Sequence, residues 1–145
     1  MVKKFITLIT PLIFMTYFSS CGNLSIKGGS SSSSDSAPTG TIVFQGTLSS
    51  LTSDSFSGIA AIYLTTSGTF TARLESFSTS SSASLRVTGT DGNGDTVFTS
   101  TLKSTSGDQN YTTGVSSGGV VTWSSLSIIN TSGDAVATAL LQSTS

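Results

Sequence analysis

The residues with the chemistry to bind or react are few. Asp91-Gly92-Asn93-Gly94-Asp95 places three oxygen-bearing side chains at alternate positions, the spacing that opens a calcium loop. A helix-flanked loop of that kind also needs Gly where Thr96 stands and a bidentate Glu where Leu102 stands. Asp-Gly and Asn-Gly are equally the residues of tight hairpin turns, which require positive φ. The turn is the favoured reading, and a metal held by Asp91, Asn93 and Asp95 the lesser one. Trp123 and Tyr111 are candidates for stacking on a ligand, against a core-filling role for both. Glu75 and scattered loop aspartates do not make the facing carboxylate pair of a glycosidase. The chain contains no histidine, which excludes a Ser-His-Asp triad, a His-held zinc and a proximal-His haem. Its one cysteine, Cys21, excludes an internal disulfide and a thiolate cluster. No catalytic set, no cofactor and no enzyme activity are expected.

The position of that cysteine is informative. Lys3 and Lys4 precede an apolar stretch from Phe5 to Phe18, and Ser19-Ser20 lead into Cys21. This is the order of a secretory signal, and the stretch of about fourteen residues, with Pro11 inside it, falls short of the roughly twenty that cross a bilayer. Phe18-Ser19-Ser20-Cys21 resembles the lipobox of bacterial lipoproteins, with Phe18 where Leu is usual and Ser20 where Gly or Ala is usual. The resemblance implies cleavage before Cys21 and acylation of its thiol; a secreted protein with a spare cysteine is the alternative. Acyl chains at about 0.8 kcal/mol per buried methylene would hold the chain to a membrane without spanning it.

The expected organisation is a signal peptide over 1–20, a lipid-anchored Ser/Gly-rich linker over 21–39, and one all-β domain over 40–145. The linker runs through Gly28-Gly29, Ser30 to Ser34 and Asp35-Ser36-Ala37-Pro38, with little to bury, and is expected to be a disordered tether spanning about 25 Å. Without the signal, four basic residues face seven carboxylates, a net charge of about minus three, so nucleic acid is not an expected partner. The expected partners are the membrane, through the anchor, and an envelope protein. No Asp follows Cys21, which under the enterobacterial sorting rule points to the outer rather than the inner membrane.

Charged residues are only 9% of the chain, and Ser, Thr and Gly take their place, a composition suited to short strands and small-residue turns. Ile42, Phe44 and Leu48 alternate with Thr41, Gln45 and Thr47. Phe70, Ala72 and Leu74 alternate with Thr69, Thr71, Arg73 and Glu75, and Leu85 and Val87 with Ser84, Arg86 and Thr88. Further strand-like segments lie at 58–64, 96–102, 119–129 and 135–141. About seven or eight strands at this spacing predict a small antiparallel β-sandwich or barrel-like fold. Asp134 followed by Ala-Val-Ala-Thr-Ala-Leu-Leu also has helical propensity, but a closing strand is preferred.

Three pieces of this domain resemble the electron-transfer DM-thirteen domain family, which accompanies DOMON domains. They are Ser57-Gly58-Ile59-Ala60-Ala61-Ile62-Tyr63 followed by Thr71 to Phe77; Leu102-Lys103 with Gly107-Asp108-Gln109-Asn110-Tyr111; and Val120-Val121-Thr122-Trp123. The likeness covers 46–142 and implies that family's fold, electron transfer as an alternative function, and a binding role for Gln109, Asn110, Tyr111 and Trp123. The family places Cys after this Trp, where Ser124 stands, and Gly-Pro-Asp-Leu where Ser82-Ala83-Ser84-Leu85 stand. A hydroxyl cannot cycle through thiol oxidation states, so the leading expectation is a non-catalytic binding or structural module.

Overall fold

A computed structural model describes residues 32–119 and 122–145, and these are all-β. The strands are β1 (Ser33–Ser34), β2 (Gly40–Thr47), β3 (Ser49–Ser50), β4 (Phe56–Thr65), β5 (Thr69–Thr79) and β6 (Arg86–Asp91). After them come β7 (Thr96–Thr101), β8 (Ser106–Ser116), β9 (Trp123–Ile129), β10 (Ala135–Leu140) and β11 (Gln142–Ser143). They form two sheets, in the orders β1-β8-β5-β4-β2-β11 and β3-β10-β9-β6-β7. Every pairing is antiparallel except β1 with β8. The sheets face each other as a sandwich, with Ile62, Phe70, Leu74, Phe77 and Tyr111 of the first buried in one cluster with Val87, Trp123, Leu126 and Ile128 of the second.

The expected alternation places Phe70, Ala72 and Leu74 inward, but the parity does not survive the length of β5. Ser76 adopts φ 51° opposite Gly58 at φ 134°, and this bulge turns Phe77 inward after Leu74. The segment with helical propensity is β10. Its Ala137 and Ala139 are fully buried while Leu140 is 72% exposed, so small residues line the interface between sheets.

Eight of the strands are six residues or longer, in line with the sequence expectation, but one of these eight, β8, has no apolar alternation to announce it. Its inward positions carry Gln109 and Thr113 beside Tyr111. The Thr113 hydroxyl donates to the Phe70 carbonyl (2.7 Å), and the Gln109 amide donates to the Ser104 carbonyl (3.1 Å). Polar side chains are buried here because each has a partner, which hides the strand from a hydropathy reading.

The linker expected over 21–39 needs a correction at its far end. Ser33 and Ser34 pair with Gly107 and Asp108, and the Asp35 amide continues the ladder to the Asp108 carbonyl (3.0 Å). Residues from Ser33 on therefore belong to the folded unit, against an expected start at 40. Backbone pairing and the side chains described below overcome the conformational freedom of a serine-rich segment. The expected signal, Cys21 and the first part of the linker lie outside the described residues.

Candidate functional site

On the outer face of the first sheet, Arg73 of β5 lies between Ala61 of β4 and Asn110 of β8. An outward arginine on a sheet would ordinarily be solvated, yet Arg73 is only 4% exposed. All three nitrogens of its guanidinium donate. Nε donates to Glu75 Oε1 (2.9 Å) and Nη2 to Asp108 Oδ2 (2.9 Å). Nη1 donates to Asn110 Oδ1 (2.6 Å) and to the Asp35 and Ser36 carbonyls (3.0 and 3.2 Å). The planar fork of arginine, with five donors in fixed directions, suits such a hub where lysine would not.

The other polar groups around it complete a clasp on residues 33–36. Asn110 Nδ2 donates to the Ser36 carbonyl (2.7 Å), and the Ser33 hydroxyl to the Asp108 carbonyl (2.7 Å). The Asp35 carboxylate accepts from the Asn110 amide (2.8 Å) and from Lys103 Nζ (2.8 Å). The Lys103 bond, followed by that amide, holds the Asp35 carboxyl below its ordinary value. Asp108 Oδ1 accepts from the Ser76 amide (2.9 Å), which fixes the left-handed residue of the bulge. Tyr63 donates to Glu75 Oε1 (3.1 Å), and burial, then that carboxylate, raises its phenol. Gly107 is required at its position: it has φ 94°, and a Cβ there would overlap the Ser33 carbonyl oxygen.

The strand alternation of β8 separates the residues that the sequence grouped for binding. Asn110 faces outward into the clasp. Gln109 and Tyr111 face inward and are buried, the Tyr111 hydroxyl donating to Gln109 Oε1 and accepting from the Lys103 amide (3.1 Å). The same oxygen of Gln109 accepts from the Ser104 amide (3.4 Å), so the pair ties the bend before β8 to the core. Burial pushes the Tyr111 phenol up to about 12. Trp123 lies in the other sheet, 1% exposed, edge-on to Phe70 (5.8 Å) and Phe98 (6.0 Å), and its Nε1 has no partner among the described residues. The stacking residues are thus core residues, and the four do not line one surface.

Ser124, where the resembling family has Cys, donates to the Asp91 carbonyl (2.6 Å) and the Thr90 carbonyl (3.3 Å). In the loop between β6 and β7, Asp91 Oδ1 accepts from the Asn93 amide (2.8 Å) and the Asp95 amide (3.0 Å). Gly94 takes φ 92°. These two amides, Asp95 first, hold the Asp91 carboxyl below its ordinary value. The carboxylate caps its own turn. No group of three metal-ligating side chains occurs among the described residues.

Sequence reading missed Arg73, Asp35, Lys103 and Asp108 as a set. The available signal was scarcity: in a chain with 9% charged residues, Arg73 and Glu75 share one face of a strand. Comparison of the chain with protein-family models, curated proteins and solved structures gives no match.

Proposed function

We propose that this chain is a lipoprotein of the bacterial cell envelope, anchored through Cys21, whose β-sandwich serves as a non-catalytic binding or structural module. The signal-like order of residues 1–20 and the small residues before Cys21 support the anchor. The observation that carries the non-catalytic half is the use of the polar side chains. Arg73, Glu75, Asp108, Asn110 and Lys103 are spent on holding the domain's own N-terminal segment, and Tyr111 and Trp123 are buried. Twelve Cα steps separate Cys21 from Ser33, so the anchor keeps the first docked strand within about 40 Å of the bilayer.

The test is Cys21→Ser expressed beside the unaltered chain in a lipoprotein-processing bacterium. The unaltered chain should incorporate labelled palmitate and sediment with membranes, and the variant should do neither. Equal behaviour of the two would remove the anchor. The resemblance to the electron-transfer family is tested on the same preparation: a visible haem or flavin band would replace the non-catalytic reading with the redox one, and a colourless protein would support it.

A further inference from the structure

The clasp around residues 33–36 has the parts of a strand-addition site. Main-chain pairing to Gly107 and Asp108 supplies register, and Lys103 with the Asn110 amide supplies a pocket for one carboxylate. Arg73 and Asn110 supply donors for the two carbonyls around it. Peptides that extend a sheet edge are recognised by this division between main chain and alternate side chains. The occupant seen is the chain's own Ser33-Ser34-Asp35-Ser36.

β1 and β2 are separated in the sheet order by β8, β5 and β4, so the chain that joins them crosses three strands. Only Asp35 to Thr39 join them, and the six Cα steps from Ser34 to Gly40 reach about 20 to 22 Å when fully extended. The bridge is short for the three strands it crosses. Pro38 fixes its own φ and biases Ala37 to the extended region, so the bridge is poorly suited to turning back.

We propose that this edge also accepts the Ser33–Ser36 segment of a second copy of the chain, giving a strand-exchanged dimer. The same segment makes the same bonds in either arrangement, and Asp35 meets Lys103 and Arg73 across the new interface with the same charge complementarity. Exchange frees so short a bridge from having to cross its own sheet and costs only association. A short hinge is a setting in which identical elements trade between protomers.

The length of the bridge provides the test, read on the full chain in detergent by light scattering of the protein mass. That readout does not depend on whether Cys21 is acylated. Deleting Ala37 leaves five steps, about 17 to 18 Å at full extension, for the same three-strand crossing, which disfavours docking within one chain, so this variant should be a dimer. Inserting Gly-Ser-Gly-Ser between Ala37 and Pro38 should give a monomer. Two differently tagged copies of the unaltered chain, co-expressed, should capture one another, and the insertion should lower that capture by about tenfold. A monomeric deletion variant with native Trp123 fluorescence overturns the proposal. So does a failure of the two unaltered copies to co-purify, which decides the matter even if the deletion variant does not fold. Capture of a different acidic polypeptide in place of a copy would also overturn it, by assigning the edge to another occupant.

Discussion

Replacing Arg73 by Met keeps an unbranched apolar stem and removes the fork. Five acceptors lose a donor: Glu75, Asp108, Asn110 and the Asp35 and Ser36 carbonyls, at 2.6 to 3.2 Å. Deleting one member of a buried ion pair costs about 3 to 5 kcal/mol, because the partner stays desolvated and unpaired. Here the partners are less confined, since the Glu75 and Asp108 side chains are 26% and 41% exposed and regain water once the cation is gone. The expected loss is therefore about 2 to 3 kcal/mol. It should fall first on residues 33–36, which lose the donor to two of their carbonyls and keep Asn110 and Lys103. Two measurements read this. Urea unfolding followed by the fluorescence of Trp123, the single tryptophan, gives the global loss. Hydrogen exchange at the Asp35 and Asn110 amides, both bonded within the clasp, reads the local opening and should quicken by about 30- to 150-fold. Arg73→Lys should give an intermediate loss, keeping the charge without the fork. Stability within about 0.5 kcal/mol of the unaltered chain, with unchanged exchange at both amides, would show that the cluster is ordinary surface electrostatics and that Arg73 does not hold residues 33–36.

Three further outcomes are expected. Tyr111 is held neutral, its phenol raised from 10.0 to about 12, so its contribution is complete below pH 10 and declines as pH rises toward 12. The decline approaches about 2 to 3 kcal/mol in alkaline urea titrations, and Tyr111→Phe should remove most of that slope while costing about 1 to 2 kcal/mol at neutral pH. Tyr63, also raised, leaves a smaller residual slope. Asp35 has the opposite sign: its lowered carboxyl stabilises the clasp above its ordinary value of 3.8, and that support is lost as pH falls through the lowered value. Protection of the Asn110 amide, its exchange rate set against the intrinsic rate at the same pH, should therefore fall on acidification, and Asp35→Asn should show the lower protection already at neutral pH. At Gly89 an added Cβ would lie 2.5 Å from Phe98 Cε1 and 2.6 Å from Trp123 Cζ3, two buried rings in edge contact. Gly89→Ala should cost about 1 to 3 kcal/mol in the same unfolding assay, and a neutral result would mean that the ring pair repacks freely.

The sequence by itself determined the class of fold. Alternation at Phe70, Ala72 and Leu74 and at Leu85 and Val87 is a local property of strands with one buried face, so it is written in consecutive residues. The Asp91 to Asp95 turn was legible for the same reason, because the Asp91 carboxylate bonds to amides only two and four residues away. What only the tertiary structure decided lies in contacts with no local trace. β8 carries Thr113 inward, stable there because the Phe70 carbonyl, 43 residues away, accepts from its hydroxyl. The bulge at Ser76 changes which residues face the core and depends on Asp108, 32 residues on. Arg73 reads as a solvated strand arginine until Asp35 and Ser36, 38 and 37 residues earlier, lay their carbonyls across it. A hydrophobic period reports which face is dry; it carries nothing about which distant polar group will arrive to pair with a charge, and in this protein that pairing builds the clasp.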